Sequence, residues 1–551
     1  AAIMSKSSFG LLIRQPPPPI CSAGTRPYPA TAKVDDEPFA YIITTVNKTW
    51  VLIAAILGSS MSFIDASAVN VALPIIQREL GANSAQMQWV IEAYALFLSA
   101  LILVGGSLGD VFGRRKLFVI GIAIFALASI GCAAAPGIIT LIVARSIQGV
   151  GAALAVPESL ALISVTFSGD ERGKAIGTWS GFASLTGAAG PVIGGYLAQT
   201  ASWRWVFLIN VPFAIVVLAI ALLRVPESRD ENAVRGVDWR GAVLATVGLG
   251  TLVYGLIRVQ LADGRIDGGA FIVFGIVVLA LFLIAERREA HPMMPLTMFT
   301  SRVFRIANLY TLALYLAMGG ALYFFPYVLI DVQGYAPTAA GATFLPFVIL
   351  QFAFSRSSGG LVHRFGARLP LVIGAALSGC AFLLYAVPGV NAGNYWTTYF
   401  PAVLLLGIGA VFFIAPLTTT VFDSSDPALS GLASGINNAV ARTAGLLAIA
   451  LFGIIFTGIF SGGFEGRLER AHISERTRTL AIAEKARFAA GTVPPDVPAA
   501  DRPAVTAAVK AGFLAGFRGV QYASAAVSFL AALIAWFALP KRVKGEAAAP
   551  A

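Results

Sequence analysis

Fourteen apolar stretches fix what this chain can become. They fall at approximately 48–72, 86–109, 116–135, 138–161, 174–198, 204–224, 238–258, 268–285, 306–330, 338–357, 369–388, 397–420, 431–459 and 518–539. A helix that crosses a bilayer core needs about 20 mostly apolar residues, and each stretch has roughly that length. Composition agrees. Only 12% of the 551 residues are charged and 57% are hydrophobic, whereas a soluble globular chain carries about 25% charged residues. Too few charges remain to solvate a surface in water, so lipid must cover much of it. The expected fold is an all-α membrane protein with about fourteen transmembrane helices.

The net charge of +11 does not point to nucleic acid, because the basic residues sit in short runs between apolar stretches and not on one folded face. They report orientation instead. Lys and Arg concentrate in alternate short loops, the pattern of cytoplasmic loops: Arg114, Arg115 and Lys116; Arg172 and Lys174; Arg224, Arg229, Arg235 and Arg240; Arg287, Arg288, Arg302 and Arg305; Arg356, Arg364 and Arg368; and Lys541, Arg542 and Lys544. The intervening loops hold isolated cases such as Arg78, Arg204 and Arg265. Both termini are therefore expected in the cytoplasm of a multi-pass plasma (inner) membrane protein. The segment 460–517 is mixed in charge and is expected to be a long, partly helical external loop. Residues 1–45, with Gln15 followed by Pro16–Pro19, are expected to be a disordered tail. The first apolar stretch is read as a retained helix and not a cleaved signal.

Three cysteines, Cys21, Cys132 and Cys380, offer neither a disulfide framework nor metal-ligand spacing. No phosphate-binding loop pattern is present, so nothing points to ATP. No cofactor, metal ion or enzymatic activity is expected. His291, His363 and His472 fall in loops and receive no role.

The chain repeats itself. GSLGDVFGRRKLFVIG at 106–121 aligns with GGLVHRFGARLPLVIG at 359–374, matching among others Gly113 with Gly366 and Arg115 with Arg368. Six helices with short loops take about 180–200 residues at this span length, and the offset of the repeat is larger by roughly two spans. The expected organisation is a six-helix bundle over 46–226, two inserted helices over 227–290, and a second six-helix bundle over 291–545 that carries the external loop. Two parallel six-helix halves place a substrate site near the midplane between them.

These motifs carry a resemblance. FIDASAVNVALP (63–74), GSLGDVFGRRK (106–116), ARSIQGVGAALAVPE (144–158), GAAGPVIGG (187–195) and WRWVFLINVPF (203–213) occur in order. They resemble the major facilitator superfamily, specifically its fourteen-helix drug–proton antiporter branch. The resemblance covers about 48–460 and the last helix. One departure is His363, which stands where the first copy of the loop motif has Asp110.

Ionisable groups inside the bilayer cost about 2.5–3.5 kcal/mol each on insertion scales and mark function by default. Asp65, Glu92 and Arg145 are expected in one band in the outer half of the membrane, about 20–25 Å above the inner face by helical rise. Asp65 leads as the proton-carrying or cation-binding group. Low dielectric disfavours a charged carboxyl, which can then load a proton on one side and lose it on the other. The bland reading is a static ion pair. Glu92 is either a second proton carrier or a structural partner of Arg145. The resemblance implies a role in proton transfer for Arg145, whose helical face continues through Gln148. Glu158 follows Pro157 near the cytoplasmic end and is expected to border a cavity or reach the interface.

Gly187, Gly190, Pro191, Gly194 and Gly195 form a stripe of small residues with a helix-bending proline, suited to a tight contact that gates. Ordinary tight packing is the alternative. The resemblance makes Asp110, Arg114 and Arg115 a cytoplasmic latch, although the arginines also serve topology. Gln148, Asn437, Asn438 and Arg442 are possible cavity residues, as are the aromatics Tyr94, Phe97, Tyr315, Phe324 and Phe325.

The function expected is a proton-coupled exporter of small amphipathic, cationic compounds by alternating access. Its partners would be membrane lipid, protons and the substrate, with no nucleic acid. Exporters of this branch can dock to envelope-spanning proteins, and no segment here is singled out for that. Two other readings compete: a dedicated exporter of one metabolite, siderophore or lipid, and a non-transporting membrane sensor, which has no need of buried carboxylates.

Overall fold

The computed structural model describes residues 48–229, 238–261, 264–389, 393–425, 430–471, 473–483 and 497–540. The expected tail over 1–45, Cys21, Arg235, His472, the terminal basic residues Lys541, Arg542 and Lys544, and the middle of the 460–517 segment lie outside them. So do the side chains of Arg265, Arg356 and His363.

Among the described residues the chain is helical, with no strand. Fourteen long helices follow one another: α1 (Lys48–Leu80), α2 (Ser84–Phe112), α3 (Arg114–Ala133), α4 (Ile138–Thr166), α5 (Gly169–Thr200), α6 (Arg204–Arg224), α7 (Trp239–Arg258), α8 (Arg265–Arg288), α9 (Arg302–Val332), α10 (Pro337–Phe354), α11 (Arg368–Tyr385), α12 (Phe400–Asp423), α13 (Ser430–Arg470) and α14 (Arg502–Ala538). Thirteen are long and apolar enough to cross a membrane. The other is α5, whose 32 residues include the glycine-rich stripe.

Local chemistry sets the boundaries. Asn83 opens α2 with a reciprocal cap: its side chain accepts from the Gln86 N–H at 2.9 Å, and the Gln86 side chain accepts from the Asn83 N–H at 2.9 Å. Gly113 separates α2 from α3 at φ 110°, and Gly366, its counterpart in the repeat, precedes α11 at φ 74°. Both angles are costly for any residue with a Cβ. The repeated loop thus keeps the same backbone demand in both copies. Proline interrupts α9 at Pro326, and the helix ends in a π turn, Val328–Val332.

We call the end of the molecule that holds the Gly113 turn the basic end, and the opposite end the far end. The apolar cores distinguish the two. One continuous cluster at the far end joins Leu73, Ile76 and Trp203 to Tyr327, Tyr399 and Phe513. Towards the basic end the core divides, with one larger cluster around Phe118, Phe125 and Val217 and another around Phe304, Leu371 and Phe413. The two sets of helices share one core at the far end and have separate cores towards the basic end, where α13 still touches α2. Further ties cross the far end: Arg78 lies 3.6 Å from Asp331, and Thr338 Oγ1 donates to Gln199 at 2.8 Å.

α7 and α8 pack on each other, and α7 leans on both α2 and α13 through Leu249 and Val253 against Leu96, Leu446 and Ala450. Gln260, just past the end of α7, joins Gln88 of α2 at 2.9 Å and the Ala450 carbonyl of α13 at 3.3 Å. Phe274, Val277 and Leu281 of α8 point outward, as lipid contact requires.

The expected 460–517 loop is largely helix. α13 runs for 41 residues to Arg470, and α14 begins at Arg502. At 1.5 Å per residue α13 is about 60 Å long, twice a core of about 30 Å. Its far-end half is held by packing: Phe456, Phe460 and Phe464 stack at 6.0 and 5.6 Å. They lie over α14, where Gly512 and Gly516 leave room for the rings. Only residues 471–501 connect the two helices, and they include a short helix, Glu475–Ala483.

Candidate functional site

Asp65 sits midway along α1 with no solvent exposure. Its carboxylate accepts three hydrogen bonds, from Arg145 Nη1 at 2.5 Å, Gln148 Nε2 at 2.9 Å and Asn210 Nδ2 at 3.1 Å. Arg145 and Gln148 stand three apart on α4 and share a face. Asn210 comes from the bend in α6. Ser129 of α3 accepts from Gln148 at 2.8 Å, so α1, α3, α4 and α6 meet in one polar network. Arg145 also donates from Nε to the Val90 carbonyl at 3.0 Å and lies 4.3 Å from the centre of the Tyr94 ring. Its Nη2 has no partner.

Asn210 was not singled out from the sequence. Its signal is an amide inside the apolar run WRWVFLINVPF, directly before Val211 and Pro212. Such a group must find a partner when buried.

Glu92 does not join this network, and the expectation that it might pair with Arg145 is not met. Both of its carboxyl oxygens are buried without a hydrogen-bond partner. It lies on α2 within electrostatic reach of Tyr323, on a side of the helix that Arg145 does not occupy. Depth along a helix was legible from residue counting, but rotation about the helix axis was not. Glu158 is also fully buried with both oxygens unpartnered. It fills the space that a side chain at Gly109 would need, beside Asp110 and Arg114.

At the basic end Asp110 accepts from Arg114 at 2.7 Å, one turn along the same chain. Arg115 reaches the other way, donating from Nη1 to the Val225 carbonyl at 3.1 Å. Glu227, a residue that sequence reasoning passed over, caps α3 by accepting the backbone N–H groups of Arg115 and Lys116 at 3.0 and 3.1 Å. The three latch residues therefore bind their own half of the molecule, α2, α3 and the strand of chain after α6. Their described partners include none from α9–α14.

The glycine stripe of α5 divides between two neighbours. A Cβ at Gly190 would strike Ser67 and the Ile64 carbonyl of α1, and one at Gly194 would strike Ala68. Gly187 is looser, with Phe63 at 3.9 Å. Gly195 faces the other way, against the Pro337 carbonyl at the start of α10. Gly341 of α10 returns the contact against the Pro191 carbonyl. This reciprocal glycine contact closes the far end between the two sets of helices.

A cavity of about 350 Å³ lies between α1, α2, α4, α9 and α13. Asn70, Tyr94, Ser99, Arg145, Tyr315, Tyr323 and Arg442 give it polarity, and Leu98, Met318, Leu322, Leu446 and Ile449 give it apolar surface. Of the cavity candidates, Arg442 reaches this wall. Gln148 stands behind Arg145 in the Asp65 network. Asn437 is spent on α9, donating to Thr311 Oγ1 at 2.7 Å and Asn308 Oδ1 at 3.2 Å. Asn438 donates to its own helix at the Ser434 carbonyl, 3.2 Å away. Tyr94 and Tyr315 line the cavity, whereas Phe324 and Phe325 belong to the far-end core and Phe97 packs near Gly149. Among the described residues no carboxylate lines the cavity: Asp65 is turned behind Arg145 and Glu92 is enclosed.

Comparison with known proteins bears on this arrangement. The model of a family described as Major Facilitator Superfamily matches residues 55–450. The multidrug resistance protein Stp of Mycobacterium tuberculosis is 35% identical over 432 residues, covering 77% of this chain and 79% of that protein. The tetracenomycin C resistance and export protein of Streptomyces glaucescens is 30% identical over 523 residues, covering 92% and 95%. Among solved structures, a bacterial homologue of the human lysosomal transporter Spinster, inward-facing and occupied, superposes with a TM-score of 0.61 at 17% identity, covering 91% of this chain and 97% of that one.

Proposed function

The chain belongs to the major facilitator superfamily, and from that premise we propose that it is a proton-coupled exporter of small amphipathic compounds, working by alternating access. The observation that carries the proposal is the Asp65–Arg145 pair, fully buried at 2.5 Å and backed against the cavity between the two sets of helices. Relatives 30–35% identical over the aligned residues are named as resistance and export proteins, which supports outward movement of the substrate.

A proton arriving at Asp65 turns an acceptor of three hydrogen bonds into a neutral acid. Arg145 then loses its counter-charge, and the bonds that Gln148 and Asn210 donate to Oδ1 weaken from bonds to a carboxylate to bonds to a neutral carboxyl. These donors come from α4 and α6, so protonation loosens the packing of α1 on both. α1 is also the helix that Gly190 and Gly194 of α5 grip, and α5 makes the far-end contact with α10. Protonation is thereby coupled to the closure between the halves. The state described here, closed at the far end, is the one facing the cytoplasm if the basic loops lie inside. We assign the basic end and both termini to the cytoplasm of the plasma membrane on the positive-inside bias. The two bundles, 46–226 and 291–545, would rock against each other with the inserted pair at their seam. Inward proton flow gains about 2.3 kcal/mol per charge per 100 mV of inside-negative potential.

Proteoliposomes with an imposed pH gradient and a mixed library of amphipathic compounds test this reading. Protein-dependent accumulation that collapses when a protonophore removes the gradient is expected. Flux indifferent to the gradient would remove proton coupling from the proposal.

A further inference from the structure

The wall of the cavity carries positive charge without its complement. Arg145 is neutralised by Asp65. Among the described residues nothing neutralises Arg442: its Nε is buried without a hydrogen-bond partner, and the groups that act on it electrostatically are the phenols of Tyr94 and Tyr315, not a carboxylate. A guanidinium has five donors and cannot shed its charge at working pH. Charges held away from water are normally paired. The arrangement reads as half of an ion pair whose other half arrives with a ligand.

The surroundings fit such a ligand. Gly445, one turn beyond Arg442 on α13, lines the same cavity with open space where a Cβ would stand and leaves the wall low beside the guanidinium. Tyr94 and Tyr315 add hydroxyl groups that accept or donate. Leu98, Met318, Leu446 and Ile449 offer an apolar bed for the rest of the molecule. The planar fork of arginine matches the two oxygens of a carboxylate or sulfonate.

We infer that the cavity takes amphipathic compounds bearing an anionic group, a carboxylate, sulfonate or acidic enol, seated on Arg442 between Tyr94 and Tyr315. The inference rests on the exporter reading and reverses the cationic class expected from sequence. A lipophilic cation in this cavity would meet Arg442 with no lining carboxylate to offset it.

The test uses the full chain in lipid nanodiscs, with empty nanodiscs as blank, and three probes: anilinonaphthalene sulfonate, phenyl-naphthylamine, which has the same ring system without the sulfonate, and ethidium. The wild-type protein is expected to bind the sulfonate about tenfold more tightly than the amine. Arg442→Gln should lose about tenfold in sulfonate affinity while changing the amine less than about twofold, and Arg442→Lys should retain most of the sulfonate binding because it keeps the charge. Retention of the amine by Arg442→Gln shows that the variant is folded. Equal wild-type affinities for the two naphthyl probes, a preference for ethidium, or a parallel loss of both naphthyl probes that lysine does not restore would overturn the inference. Its failure is separable from that of the exporter reading. Gradient-driven transport of ethidium or the amine without any sulfonate preference leaves the exporter and removes the anion site. Arg442-dependent sulfonate binding with no gradient-driven flux of any probe does the opposite.

Discussion

Arg145 donates to Asp65 at 2.5 Å where neither side chain has any exposure to solvent. Such a pair adds little net stability, because desolvation offsets the attraction, but removing one partner strands the other. The loss is then about 3–5 kcal/mol.

Asp65→Asn should therefore lower the thermal midpoint in detergent and abolish the pH dependence of efflux. Adding Arg145→Gln should recover much of the stability and none of the coupling. Thermal unfolding and flux measured across pH read the two effects separately. Intact pH dependence in Asp65→Asn would show that the proton travels elsewhere, with Glu92 the next group to test.

Closure of the far end depends on two glycines that face carbonyl groups, Gly195 on Pro337 and Gly341 on Pro191. Gly195→Leu has no space at that crossing. We expect the far end to open. A thiol placed at Thr338, which bonds to Gln199 across the same gap, should react several-fold faster with a membrane-impermeant maleimide added from that side. Unchanged labelling would mean that the crossing is not what keeps the end shut.

The turn at the basic end separates a strain effect from a capping effect. Gly113→Ala must hold φ 110° with its Cβ 2.8 Å from the Glu227 carboxyl, costing about 1–3 kcal/mol. Glu227→Gln keeps the shape but weakens the cap on α3, at about 1 kcal/mol. Thermal midpoints should fall in the order wild type, Glu227→Gln, Gly113→Ala. A neutral Gly113→Ala would contradict the backbone argument.

How much of this was legible beforehand can be traced through particular residues. The helices were readable because lipid demands long apolar runs, and those runs leave their mark residue by residue. The far-end reach of α13 was missed because Glu465, Arg467, Glu469 and Arg470 look like the close of a membrane span, while the Phe456–Phe460–Phe464 ladder that continues it is visible only against α14. Asp65 and Arg145 were placed at one depth, which counting along a helix supplies. That they touch while Glu92 stands apart depends on how each helix is turned about its axis, and the partner helices decide that. Asn437 shows the same limit: polar and at membrane depth, it serves α9 and not the cavity.

Asp501 offers a pH effect outside the bilayer. The Thr477 hydroxyl donates to its carboxylate at 2.6 Å, and with Ser474 holds the carboxyl below its ordinary range. The unfolded group titrates near pH 3.9, about the usual aspartate value. A depressed folded value means that the contact stabilises above that pH and weakens as acid protonates the folded carboxylate. Cleavage of the 471–501 connection by pepsin, normalised to an unfolded control, should rise between about pH 4.5 and about pH 2.5 in the wild type. In Asp501→Asn it should be as fast at the upper pH as at the lower. A variant protected like the wild type at the upper pH would detach this carboxylate from the fold of the connection.

Gln260 touches both bundles with an uncharged amide, meeting Gln88 on one side and the Ala450 carbonyl on the other. An amide can exchange one acceptor for another along a sliding surface without leaving a bare charge in lipid, which a lysine or glutamate in its place could not do. On the alternating-access reading, the additional pair of helices would work as a soft fastening. It would keep lipid out of the crevice while the bundles turn and resist neither direction of the stroke.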